Sequence, residues 1–221
     1  MCGRFVFAAG DELFEDIVEA TRATRSNDLP ERPDYNICPT QQVHAVMAGR
    51  RLVSMRWGFL PHWYKTPTDG PLIINARAET IATKPAFQEA CRTRRCLIPA
   101  TGFYEWTKAQ DDTRLPWYFA PTDAPFLMFA GIWQNWGPDA QPTCAIVSCA
   151  AGPTMAEIHH REPVVLAQPD WALWLGEAGK GAARLMRPVP EGRIARYRVD
   201  LAVNSNRATG PDLILPLRDV A

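Results

Sequence analysis

Proline sets the tightest limit on this chain. Twenty prolines are spread through its 221 residues, and each removes a backbone donor and interrupts a helix or a central strand. Eight tryptophans accompany them. The pattern predicts many short strands, irregular loops and aromatic-lined surface, not long helices. Hydrophobic content of 47% and charged content of 22% are those of an ordinary globular chain, long enough to bury a core without staples. The formal net charge is zero, which argues against a polybasic surface. The distribution is uneven, however. Acids dominate up to Asn36, while Arg50, Arg51, Arg56, Arg77, Arg92, Arg94 and Arg95 crowd the middle, compatible with a local basic face.

The six cysteines show no C-x-x-C spacing and the four histidines no H-x₃-H, so no metal site is expected. Cys144 and Cys149 sit in an apolar run and read as core residues. Arg4, Asp11 and Glu12 interrupt the start, arguing against a signal peptide. No apolar run reaches the roughly 20 residues that span a bilayer. These features predict a reduced, cytoplasmic protein without membrane contact.

Along the chain, Arg4–Phe7 reads as a strand and Asp11 as the cap of a helix from Glu12. Val43–Ala48 and Leu52–Trp57 flank Gly49-Arg50 as a hairpin. Trp57–Tyr64 is a loop, either a packed aromatic core or a platform for a base. From Leu72 a strand leads into Asn75, Arg77 and Glu79, which period two puts on one face. That face is either solvated or one wall of a polar site. A short helix over 84–91 and a solvated basic turn over Arg92–Arg95 follow, then strands at 96–100 and 102–106. Glu105, between Tyr104 and Trp106, is either a carboxylate tuned for acid/base work or a residue on the solvent face of an edge strand. Residues 107–115 form a charged hairpin loop. Further strands are expected at Phe126–Trp133, with Gly131 as a bulge, at Thr143–Cys149, at Val164–Leu166 and at Arg196–Leu201. Helices are expected at Pro153–Ile158, 170–176 and 178–186. The histidines at 159 and 160 either cap a helix or line a site. One α+β domain spanning 1–221 is the economical reading, with no repeat and no linker.

The chain start has its own chemistry. Methionine before a small residue is usually trimmed, which would leave Cys2 with a free α-amine and a thiol. Their reference pKa values, about 7.7–8.0 and about 8.5, give both a reactive fraction near neutral pH. A 1,2-aminothiol condenses with an aldehyde to an imine, and the sulfur then closes a thiazolidine, an intramolecular step that proximity favours by up to about 7–11 kcal/mol.

Together, Met1-Cys2-Gly3-Arg4-Phe5, Tyr35-Asn36-x-x-Pro39, Trp57-Gly58, Ile74-Asn75-Ala76-Arg77-Ala78-Glu79-Thr80, Gly102-Phe103-Tyr104-Glu105-Trp106 and Ile158-His159-x-Arg161-x-Pro163 resemble the SRAP family, the SOS-response-associated peptidase proteins that process abasic sites in DNA. The resemblance runs from residue 2 to Asn204 and the Leu-Pro segment beyond it. It implies a twisted antiparallel sheet closing toward a barrel, with helices around it. It implies that Cys2, once Met1 is removed by self-processing, crosslinks to the ring-opened abasic aldehyde in single-stranded DNA and shields the lesion during the DNA damage response. Asn75, Glu105 and His159 match the family's other catalytic positions. Arg4 and Arg77 match its phosphate-holding positions, and Pro39, Trp57, Trp63, Tyr64, Ser148 and Arg161 fall in its DNA-binding surface. Tyr64 stands where some members have tryptophan. Abasic-site lyase activity, no cofactor, a monomer and a cytoplasmic, nucleoid-associated location belong to the same expectation.

The residues suit that chemistry independently. A histidine near pKa 6.5 suits opening of the sugar ring. Glu105 can take a proton from the Cys2 ammonium and return one to the departing hydroxyl. Asn75 can hydrogen-bond the sugar, and Arg4 and Arg77 can pair with phosphates. Of the two histidines, His159 matches the motif, and an extended run into Pro163 would turn His160 to the opposite face. The alternative is an N-terminal-nucleophile glutamine amidotransferase, with Cys2 attacking an amide.

Overall fold

The hairpin around Gly49-Arg50 forms as its alternation predicts, and a barrel is built onto it. The computed structural model describes residues 2–217. The strands are β1 (Phe5–Phe7), β2 (Thr24–Arg25), β3 (Asp34–Ile37), β4 (Gln42–Met47), β5 (Arg51–Trp57), β6 (Asn75–Arg77), β7 (Arg95–Ala100), β8 (Gly102–Lys108), β9 (Arg114–Pro121), β10 (Leu127–Trp136), β11 (Gln141–Ala150), β12 (Arg161–Pro163) and β13 (Ile194–Arg198). The helices are α1 (Asp11–Thr21), α2 (Gln88–Thr93), α3 (Pro153–Ala156) and α4 (Trp171–Leu175). Gly49 and Arg50 both take positive φ at the β4–β5 turn, the backbone that a tight hairpin needs.

Strands β5, β4, β7, β10 and β11 follow one another antiparallel, and β11 returns to β5 through Thr143↔Arg56 and Cys144↔Trp57. The ring therefore closes through a parallel pair, which removes the free edges of the sheet. A second sheet runs β13-β9-β8-β1-β3. Period two in β1 sends Phe5 and Phe7 into the main core and Val6 to the other face, where Tyr104, Tyr118, Val203 and Leu213 cover it. Phe5 meets Trp57 edge-on at 5.0 Å and Phe129 at 5.9 Å. The chain start is thereby held by rings whose burial contributes about 1.5–3 kcal/mol each.

Several expectations shift. Asp11 opens α1 without capping it: Gly10 holds the cap position and no side chain bonds there. Gly131 pairs in register with both Cys96 and Ile146, so there is no bulge. A Cβ at that position would lie 2.7 Å from the Cys96 Sγ, so the glycine serves close packing. The helix expected over 84–91 begins later, at Gln88. Arg92–Arg95 is not a solvated turn, because Arg95 opens β7 and donates to the carbonyls of Cys91, Arg92 and Trp174. The strand expected at Val164–Leu166 falls earlier, as β12, leaving Val165 a single bridge to Phe129. Over 178–186 only a 3₁₀ turn, Ala182–Leu185, forms. Gly179 and Gly181, both at positive φ, weaken any helix there. No helix among the described residues is long and apolar enough to cross a membrane.

Candidate active site at the chain start

Four elements converge on Cys2. The segment before β1 carries Cys2 itself, fully buried, with its thiol directed at the Arg4 carbonyl, 3.8 Å away. From β6, the Asn75 side-chain amide donates to the Cys2 carbonyl at 2.9 Å. β6 is held in place by parallel pairing with β11, Asn75↔Ile146 through Arg77↔Ser148. From β8 comes Glu105, a carboxylate only 4% exposed. From the turn after α3 comes His159, whose backbone N–H donates to the Met155 carbonyl at 2.9 Å.

Burial pushes the Cys2 thiol well above its ordinary range, and the Glu105 carboxylate pushes it the same way. Burial in the folded chain thus disfavours the thiolate form of Cys2. Burial lowers the His159 pKa, opposed by the attraction of Glu105. Glu105 thus acts on both groups. The His159 Nδ1 lies 2.9 Å from the Arg161 backbone nitrogen and 3.2 Å from the Arg161 carbonyl oxygen, so the Arg161 backbone fixes the orientation of the ring. The two histidine rings stack, with centroids 4.4 Å apart and planes at 25°. They do not face opposite ways as an extended run would require, because His159 belongs to the turn that ends α3.

The residues expected to touch DNA divide sharply. Arg77 is exposed on the face of β6 that carries Asn75. Trp63 is half exposed beside His62, and Tyr64 is partly buried. Pro39 is partly exposed and lines a groove of about 520 Å³ together with Gly3, Arg4, Glu105, Trp106 and His159. Arg77, Trp63 and Tyr64 lie outside that lining.

Three of the residues expected to touch DNA are buried. Trp57 is fully buried and its indole donates to the Ile74 carbonyl at 3.0 Å, so no ring face is open to a base. Ser148 is fully buried, and its hydroxyl and carbonyl accept from Arg161. Arg161 is itself buried, and its fork is closed on Glu79 at 2.6 and 3.0 Å, a bond that holds the Glu79 carboxyl below its usual range. Arg4 is also largely committed, to Asn36 (2.6 Å), the Val203 carbonyl (3.1 Å) and Asn206 (2.5 Å). Asn36 and Glu79 were visible as parts of motifs, and Asn206 was not. The roles of all three were hidden, because each partner lies far away in sequence.

A second cavity, of about 530 Å³, lies between Phe126, Trp171 and Pro188. It is mostly apolar, and none of the four converging residues lines it. Among the described residues no cluster of three His, Cys, Asp or Glu is placed to hold a metal ion.

Residues 1–206 match the family model described as SOS response associated peptidase (SRAP). The abasic site processing protein YoqW of Bacillus subtilis is 33% identical, over 97% of this chain and 99% of its own length. The abasic site processing protein YedK of Escherichia coli is 29% identical over 98% of this chain and all of its own. A solved structure from Bacteroides thetaiotaomicron, 23% identical, superposes with a TM-score of 0.82 over 98% of this chain and 100% of that one, which shows a shared fold.

Proposed function

The chain belongs to the SOS response associated peptidase (SRAP) family, and from that premise we propose that it processes abasic sites in single-stranded DNA by forming a covalent crosslink through Cys2. The observation that carries the reading is the convergence of Asn75 on the Cys2 carbonyl beside a buried carboxylate, Glu105, whose charge acts on both Cys2 and His159. Removal of Met1, a residue outside the described ones, frees the Cys2 amine.

The amine adds to the ring-opened aldehyde, and the carbinolamine loses water to give an imine. Glu105 takes a proton from the ammonium and returns one to the leaving hydroxyl. His159 acts as the acid at the sugar oxygen while the ring opens. The thiol then adds across the imine: sulfur bonds to carbon, and the S–H proton moves to nitrogen. A protonated, buried thiol suits this last step, because no free thiolate has to be held beside Glu105. Aldehyde and aminothiol thus give thiazolidine and water. With no base to unstack at the lesion, the cost of placing the sugar in the site is small. Removal of Met1 is the peptidase activity proposed, and strand cleavage through the imine is the lyase activity. The protein acts as a monomer at damaged DNA.

The test is denaturing electrophoresis after mixing the protein with an abasic single strand. Wild type is expected to give a heat-stable adduct. Cys2→Ala keeps the amine, so borohydride should trap an imine, but the stable adduct should disappear. A Cys2→Ala adduct as heat-stable as wild type without borohydride overturns the thiazolidine. Hydrolysis of glutamine, the mark of the amidotransferase alternative, should be absent.

A further inference from the structure

The charged β8–β9 hairpin has no part in the chemistry above, yet it lines the same groove. Lys108 and Arg114 face each other directly across its ladder. Two like charges directly opposite on an antiparallel pair are destabilising. Lys108 has an exposed ion pair with Asp112 at 3.0 Å, a contact of little worth in water. Arg114 is exposed and lies over the Trp106 indole, 4.6 Å from the ring centroid. Arg4 lies over the same indole at 5.6 Å. That ring is fixed, because its N–H donates to Asn204 Oδ1 at 2.7 Å. The Asn204 amide in turn donates to the Arg114 carbonyl at 2.9 Å. One asparagine therefore ties the cationic hairpin to the wall that carries Glu105.

We infer that Lys108 and Arg114 form a subsite for a backbone phosphodiester of the strand, one flanking the abasic sugar. The inference rests on the DNA reading above and adds a place for a nucleotide next to the lesion. Both side chains line the groove that leads to Glu105 and His159, so a strand whose sugar reacts there and which leaves along the groove brings an anion between them. The phosphate relieves the repulsion of the facing cations. The Trp106 stack holds the Arg114 fork in place before the strand arrives, which suits a planar, two-pronged contact.

The test measures affinity for an intact single-stranded oligonucleotide across a range of salt, with wild type, Lys108→Gln, Arg114→Gln, the double variant and Arg114→Lys. The pair holds one phosphate, so losing both cations is expected to reduce the slope of log affinity against log salt by about 0.7, and each single variant by part of that. Arg114→Lys keeps its charge and should keep most of the slope. Thermal midpoints should match or exceed wild type, because a repulsion is removed. If the double variant melts early, the two single variants decide the slope. An unchanged slope in the glutamine variants, or an Arg114→Lys loss equal to that of Arg114→Gln, overturns the subsite. Adduct formation by wild type is scored separately. A wild type that forms no adduct while the slopes change as stated would overturn the covalent reading and leave the phosphate subsite standing. Adduct formation with unchanged slopes would remove only the subsite.

Discussion

The Asn75 side-chain amide holds the Cys2 carbonyl at 2.9 Å, and its own Oδ1 is buried with no donor. The contact fixes the direction in which the amine and thiol leave Cα. Asn75→Ala removes it, and a single hydrogen bond of about 0.5–1.5 kcal/mol corresponds to a loss of up to about tenfold in the single-turnover rate of adduct formation. Affinity for intact DNA should hold. Equal losses in both measurements would assign Asn75 to the DNA surface instead.

Glu105 acts on two neighbours with one charge, which makes its removal readable at both. Its carboxylate raises the Cys2 thiol and raises His159. In Glu105→Gln both values should therefore fall. The Cys2 alkylation profile moves to lower pH, and the His159 ring resonances titrate at lower pH. The crosslinking rate should fall as well, because the proton shuttle is lost. A His159 titration that stays where it is would separate the two residues and break the proposed site.

Arg77 and Arg161 share one motif-based expectation, but their surroundings differ. Arg77 is exposed, while the Arg161 fork is closed on Glu79 and Ser148. Arg77→Ala should lower affinity for intact and abasic strands alike and reduce the salt slope by about 0.7. Arg161→Ala leaves buried acceptors without their donor, so its main effect should be a lower melting midpoint, at the 1–3 kcal/mol scale of lost buried hydrogen bonds. Equal salt slopes for Arg77→Ala and wild type would take Arg77 out of the DNA path.

The strands were legible because period-two alternation and Gly49-Arg50 report local geometry. So was the α+β class, since twenty prolines leave little room for long helices. The closing β5–β11 pair was not legible: it joins Arg56–Trp57 to Thr143–Cys144, and nothing local marks a parallel partner so distant. The motif residues Cys2, Asn75, Glu105 and His159 stood out, but burial did not. Trp57 in an aromatic loop and Arg4 in a polar start look equally open in sequence. Only the fold shows the first inside the core and the second held by Asn36 and Asn206.

The stacked pair His159 and His160 couples the second ring to the first. Burial is the main cause of the lowered His159 pKa, and charge on His160 adds a smaller push the same way, so His160→Ala should raise it slightly and shift the pH dependence of crosslinking upward. It also removes a ring contact worth about 0.5–1.5 kcal/mol. His159→Ala should slow adduct formation or its reversal by about 10²-fold, the lower end for a lost acid/base group. A slow His160→Ala beside a normal His159→Ala would exchange their roles.

His44, on β4, is the other histidine with a consequence. It is buried between Phe7 and Phe14, with ring centroids at 4.6 and 5.5 Å, and its Nε2 has no partner. Burial, with the nearby Arg32 charge adding to it, lowers its pKa to about 4. The unfolded chain titrates this group near 6.5. Between those values the unfolded state binds a proton that the folded state refuses, so stability is full above about pH 6.5 and falls as the pH drops toward 4. The loss attributable to His44 is roughly 3 kcal/mol by pH 4, at 1.36 kcal/mol per unit. His44→Phe keeps a ring between the two phenylalanines and removes both the titration and an unpartnered buried nitrogen, a change that costs little or stabilises. Urea unfolding of both proteins from pH 7 to pH 4.5 isolates the effect, because every other titrating group is shared. The two stability curves should separate progressively below pH 6.5, with the variant the more stable at the acid end. Parallel curves across the whole range would show that His44 takes up its proton as readily in the folded protein as in the unfolded one.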